Sequence, residues 1–226
     1  MPEFQFDTDA GPVRIDLRQL IIAGWTGRDA AALQHHIEEL AALGVPPPSR
    51  VPVYYRAGAE LLTQAPQISV LGEATSGEAE PMVIADASGT LWLGLASDHT
   101  DRELEAVSVA KSKQICPKPM ARDLWRFDAL RPRLDRLQLR SQIVEPGAAD
   151  PVPYQDGTLA RIRPLTDLIA GLPEGSLPPG TALLCGTLPV IGTIRPAPLF
   201  ALSLHDPEAD RTIAFDYAIT SLDVVT

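Results

Sequence analysis

The chain has 226 residues, 45% hydrophobic and 21% charged, which is enough apolar sequence to bury a sizeable core. Its net charge of −10, with no basic cluster larger than Arg131-Pro132-Arg133 and the nearby Arg136 and Arg140, excludes nucleic-acid recognition, which needs a positive footprint. Cys116 and Cys185 are isolated, so zinc-finger and redox-pair readings fail and a reducing cytoplasm is the expected compartment.

The start, Met1 to Asp7, lacks the basic and apolar regions of a signal peptide. The longest uncharged span, Gly175 to Ile194, is interrupted by Pro178, Pro179, Gly180, Gly186, Pro189 and Gly192, unlike a membrane helix. With 22 prolines and 16 glycines the chain reads as β-rich with many turns, few short helices and a single domain over 1–226.

Residues 2–22 alternate as two strands around the turn Asp9 to Pro12, and Leu20-Ile21-Ile22-Ala23 reads as a buried strand. Asp29 is placed to cap a helix over about Ala30 to Leu43, with Leu33, Ile37, Leu40 and Ala41 as its stripe and Gly44 and Pro46 to Pro48 as its stop. His36 and Glu39 lie three residues apart on that helix, as do His35 and Glu38. Such a pair can be an oriented acid/base dyad or merely a surface pair. From Arg50 the pattern turns to β, through Val51 to Arg56 and Ile68 to Leu71.

The next stretch carries the chemistry. On a strand, period two puts Glu78 and Glu80 on one face, about 7 Å apart. A return strand, Leu91 to Leu95, would bring Asp98 beside them. Three converging carboxylates suit a hard divalent ion such as Mg²⁺ or Mn²⁺, whereas a Glu-x-Glu pair alone can be one solvated face of a sheet. Lys111 and Lys113 then follow at strand-like spacing, able to hold an anion or to blunt a sheet edge. Asp123 to Leu134 reads as a short helix with Trp125 as core anchor, Leu137 to Ile143 as a strand, and 145–153 as a loop. Tyr154 to Gly157 reads as turn-like and Pro164 to Ala170 as a short helix. Thr181 to Cys185 is a buried strand leading into the glycine-flanked Gly186-Thr187, an anion-binding turn or simply a tight one. Two last strands, Pro198 to Leu204 and Thr212 to Ile219, complete the chain.

In this order the motifs resemble the catalytic domain of the fumarylacetoacetate hydrolase superfamily from about Ile21 onward, and most closely a bacterial branch, the domain of unknown function 2848. The carrying segments are Glu78-Ala79-Glu80-Pro81, Ser97-Asp98-His99-Thr100-Asp101-Arg102-Glu103, Lys111-Ser112 with Cys116-Pro117, and Gly186-Thr187-Leu188-Pro189 through Gly192. The resemblance implies a mixed α+β, β-rich sandwich or roll with a few short helices. It implies Mg²⁺ or Mn²⁺ on Glu78, Glu80 and Asp98, and Lys111 as the active-site lysine with Lys113 as its rival. Arg56, Gln155 and Thr187 become substrate contacts, and His36 with Glu39 the base. The family's early His motif is absent from Trp25 to Asp29, which leaves His35 and His99 as other contenders.

The implied activity is that of a metal-dependent hydrolase or lyase acting on a small oxo- or diketo-acid through a metal-stabilised enolate. Carbon–carbon bond hydrolysis is favoured over hydration, decarboxylation or tautomerisation, with a non-catalytic metabolite-binding protein as the alternative class. A carboxylate-bearing metabolite, a homodimer and no nucleic-acid or membrane partner are the expected associations.

Overall fold

A computed structural model describes residues 2–42 and 47–225, with the backbone alone for residues 36 and 39–42. Two sheets organise them. The six-stranded sheet runs, in spatial order, Trp125–Arg126, Leu91–Ser97, Ala79–Ala85, Thr181–Leu184, Gln19–Gly24 and Val53–Ala57. The five-stranded sheet runs Pro151–Thr158, Gln138–Val144, Leu199–Asp206, Arg211–Leu222 and Gln67–Leu71.

Both faces of the six-stranded sheet are covered, which is why Ala79–Ala85 is buried at every position. Ile21, Val83, Leu93, Leu95 and Leu183 face the five-stranded sheet and pack on Leu139, Ile143, Leu202, Leu204, Ile213 and Tyr217. Leu20, Ile22, Met82, Ile84 and Leu184, one residue out of step, face the other way onto Phe6, Ile15 and Leu17 of the N-terminal hairpin. That hairpin pairs Glu3–Thr8 with Gly11–Asp16.

Asp29 caps the helix Ala30–Ala42, its Oδ1 accepting from the N–H groups of Ala31 and Ala32 at 2.9 and 3.0 Å. Three local expectations change. The lysine segment is helical, in two turns Arg102–Val107 and Val109–Ile115 capped by Asp101 and Ser108. Tyr154 to Gly157, together with the last three residues of the expected 145–153 loop, belongs to the strand Pro151–Thr158, which has a register shift opposite Ser141 and Gln142. Asp123 to Leu134 divides into the edge strand Trp125–Arg126, the helix Phe127–Leu130 and a 3₁₀ segment; Trp125 is nevertheless a core residue. No helix among the described residues is long and apolar enough to cross a membrane.

Candidate metal centre

The strands Ala79–Ala85 and Leu91–Ser97 form an antiparallel hairpin, with Ala79 opposite Ser97. The entry of one and the exit of the other therefore share one end of the sheet, and the Asp98 N–H bonds to the Glu78 carbonyl at 3.0 Å. Glu78, Glu80 and Asp98 project at that end, with one carboxylate oxygen of each lying within 4.8 Å of the others. Glu80 and Asp98 are buried and Glu78 is half-buried.

The same alternation sends the neighbours the other way. Ser97 and His99 enter the core between the sheets, where the Tyr217 hydroxyl lies 2.7 Å from Ser97 Oγ and 3.0 Å from His99 Nδ1. His99 Nε2 meets Thr75 Oγ1 at 2.9 Å. Burial, with Lys118 and Arg102 nearby, holds the His99 imidazole neutral, its pKa lowered to about 3. His99 is thus a core residue facing away from the carboxylates, and it leaves the contest for the base. Gly77 permits this packing, since a Cβ there would lie 2.1 Å from the Tyr217 hydroxyl.

Three cations surround the cluster. Lys113 binds Asp98 Oδ2, Lys118 Nζ lies 3.0 Å from Asp98 Oδ1, and Arg102 lies 3.3 Å from Glu78 while also pairing with Glu105 at 2.7 Å. Burial works against the charge on Asp98, but the two lysines prevail and hold its carboxyl well below the usual range. Glu80 differs: among the described residues its hydrogen-bond partner is the Gly186 N–H, at 2.7 Å. Burial first, then repulsion from Asp98, pushes the Glu80 carboxyl well above its ordinary value. A buried carboxylate without a cation of its own, in an all-oxygen cluster, is the environment a hard divalent ion would relieve. The donor set fits Mg²⁺ or Mn²⁺.

The helical geometry decides between the lysines. Residues two apart on a helix point in different directions, so Lys111 is exposed while Lys113 is buried on Asp98. The centre holds Lys113 in place of the expected Lys111. Lys118, fully buried, is a member the sequence reading missed.

The expected substrate contacts are placed differently. Arg56 is exposed on the edge strand Val53–Ala57 and donates to Gln19 Oε1 at 2.9 Å. Gln155 is buried with its amide saturated by the protein. Its Oε1 accepts from the Ala79 N–H and the Ser141 hydroxyl at 2.9 and 2.8 Å, and its Nε2 donates to Thr187 Oγ1 and the Leu188 carbonyl at 2.6 and 2.7 Å. The Thr187 hydroxyl donates in turn to the Ala79 carbonyl at 2.7 Å. Both side chains therefore brace the strand that carries Glu80, leaving little capacity for a ligand.

Gly186 adopts φ +92°, and a Cβ there would lie 1.7 Å from Thr26 Oγ1. Only glycine brings this N–H to Glu80 with Thr26 so close. The segment before the helix Ala30–Ala42 is thereby tied to the centre, and Trp25 Nε1 reaches the Tyr55 hydroxyl at 3.3 Å, with the Lys113 ammonium 5.9 Å from the Tyr55 ring. The side chains of His36 and Glu39 lie outside the described residues; His35 is exposed.

A family model described as protein of unknown function, DUF2848, matches residues 23–217. The chain belongs to the DUF2848 family. No curated protein sequence matches it. Among solved structures, the DUF2848 protein is similar to one assigned as a fumarylpyruvate hydrolase from Burkholderia cenocepacia, at 16% identity and TM-score 0.62 over 98% of this chain and 96% of that one. It is also similar to 2-keto-3-deoxyarabinonate dehydratase in a hexagonal crystal form, at 16% identity and TM-score 0.66 over 93% of this chain and 75% of that one. These likenesses show the fold: the chain shares a strand-rich mixed α+β architecture with these two structures.

Proposed function

We propose that the protein is a divalent-metal-dependent enzyme acting on a small oxo- or diketo-acid, with carbon–carbon bond hydrolysis as its reaction. The observation that carries this reading is the convergence of Glu78, Glu80 and Asp98 within 4.8 Å of one another. The hydrolase and dehydratase among its structural relatives support it. Bound by those carboxylates, Mg²⁺ or Mn²⁺ supplies Lewis acidity toward the enolisable oxygens of the substrate.

The protein's own groups do the rest. Lys113, burial notwithstanding, is kept charged by Asp98, Glu78, Glu105 and Glu80, and offers positive charge to an anionic substrate. The Gly186 N–H fixes one oxygen of Glu80, while Trp25 and Tyr55 are joined beside Lys113. His36, three residues before Glu39 in the sequence, is the proposed base, on a helix that begins four residues beyond Thr26. A cytoplasmic homodimer acting on a carboxylate-bearing metabolite completes the proposal.

Deuterium exchange at C3 of pyruvate or oxaloacetate, followed by proton NMR, tests it. Exchange should require Mg²⁺ or Mn²⁺ and disappear in Glu80→Gln and His36→Ala. Absence of exchange with every oxo-acid tried, in protein shown to bind the ion, would make the molecule a binder and end the enzymatic reading.

A further inference from the structure

Lys118 sits on a two-residue strand, Lys118–Pro119, pairing in parallel with Leu62–Thr63, and its side chain is wholly buried. Its ammonium donates to the His99 carbonyl and lies 3.0 Å from Asp98 Oδ1. The His99 ring is itself fastened at both nitrogens by Tyr217 and Thr75. This positive charge is therefore fixed in position.

Asp98 is held by both Lys113 and Lys118, and Glu78 by Arg102, which Glu105 shares; Glu80 has no ion pair among the described residues. A divalent ion entering such a cluster gains Glu80 but meets an Asp98 that is already neutralised, and it comes close to two ammonium groups in a site shielded from water. Like charges repel strongly there. An anion arriving with the ion would remove that penalty.

We propose that Lys118 is a positioning residue and resident counter-cation of the metal centre: it weakens the carboxylates' hold on a divalent ion alone and makes tight binding depend on a dianionic small molecule bound with it. This deepens, and rests on, the metal-centre reading given above. Two ligands that favour each other in this way must do so reciprocally, so the ion raises affinity for the dianion by the same factor.

Calorimetric titration of the full chain with Mn²⁺, alone and with oxalate as the dianionic probe, reads the effect. Wild-type protein should bind Mn²⁺ roughly tenfold or more tightly when oxalate is present. Lys118→Gln keeps an N–H donor for His99 and Asp98 but removes the charge; it should bind Mn²⁺ alone about tenfold more tightly than wild type, with a reduced gain from oxalate. Lys118→Arg, which keeps the charge, should match wild type with Mn²⁺ alone. A structural lysine would lose affinity on replacement, so unchanged or weaker Mn²⁺ binding by Lys118→Gln overturns the proposal. If that variant does not fold, the wild-type oxalate gain decides the matter, its absence being fatal. No Mn²⁺ binding by wild type under either condition overturns the metal-centre reading as well; binding without the predicted changes overturns this inference alone.

Discussion

Asp98 and Asp206 are both completely buried aspartates, and each is held by two cations. Asp206 closes the strand Leu199–Asp206 and meets Arg133 Nη2 at 3.0 Å and Arg211 Nε at 3.4 Å. Arg211 also lies over the Trp125 ring at 4.5 Å, so this network ties strand ends to the outer edge of the other sheet. Asp98 is held instead by lysines, which are compact point charges with no fork geometry to satisfy. It also faces two further carboxylates within 4.8 Å, whereas the acids nearest Asp206 in its network, Glu208 and Asp9, sit outside it on Arg133 and Arg211. Two buried ion pairs of similar appearance thus differ in kind: the extra acids of one lie out at the surface on its arginines, while the other leaves Glu80 buried without an ion pair among the described residues.

The largest expected effect comes from breaking the second. Asp98→Ala leaves Lys113 and Lys118 facing each other without their shared partner. Removing one member of a buried pair costs about 3–5 kcal/mol. Chemical denaturation should show a loss of that order, and Mn²⁺ binding should vanish with it. An Asp98→Ala protein as stable as wild type would mean that the lysines find solvent or other partners, and the contrast with Asp206 would dissolve.

A middle-sized effect concerns the opposite side of the same segment. Tyr217→Phe removes the hydroxyl shared by Ser97 and His99, leaving a buried ring nitrogen without its partner, at a cost of about 1–3 kcal/mol. Because strand alternation separates this aromatic core from the carboxylates, Mn²⁺ affinity should change far less than in Asp98→Ala. Equal losses of affinity in the two variants would show that the two faces are not independent.

What could be read from the sequence divides along the same physical line. The carboxylate hairpin was legible because period two and a short turn are local: Glu78, Glu80 and Asp98 needed only two adjacent strands to meet. Lys111 was preferred on the Lys111-Ser112 resemblance, and strand-like spacing put both lysines on one face and could not separate them, whereas Asp101 and Ser108 cap two short helices by accepting from the N–H groups of Leu104 and Lys111. Those caps were visible signals that would have separated Lys111 from Lys113. Gln155 looked like a turn residue beside Asp156-Gly157, and only the long-range bonds to Ala79 and Leu188 reveal it as a brace. Lys118 had no local signal at all, since its burial depends on pairing with Leu62–Thr63, far back in the chain.

The smallest effect belongs to Asp206 and is read through pH. Burial alone would raise its pKa, but Arg133 and the nearby backbone N–H groups prevail, and the carboxyl is held below its ordinary value. A carboxyl depressed in the folded state contributes stability that is fully present above the unfolded value near 3.9 and is lost as pH falls through the lower folded one. Wild-type protein should therefore lose slightly more stability than Asp206→Asn between about pH 5 and pH 2, while at neutral pH the variant should be the less stable of the two. Both should bind Mn²⁺ alike, because Asp206 lies outside the carboxylate cluster of Glu78, Glu80 and Asp98. Parallel pH profiles for the two proteins would place the stabilisation in packing around the arginines and remove charge from the account of this end of the sheet.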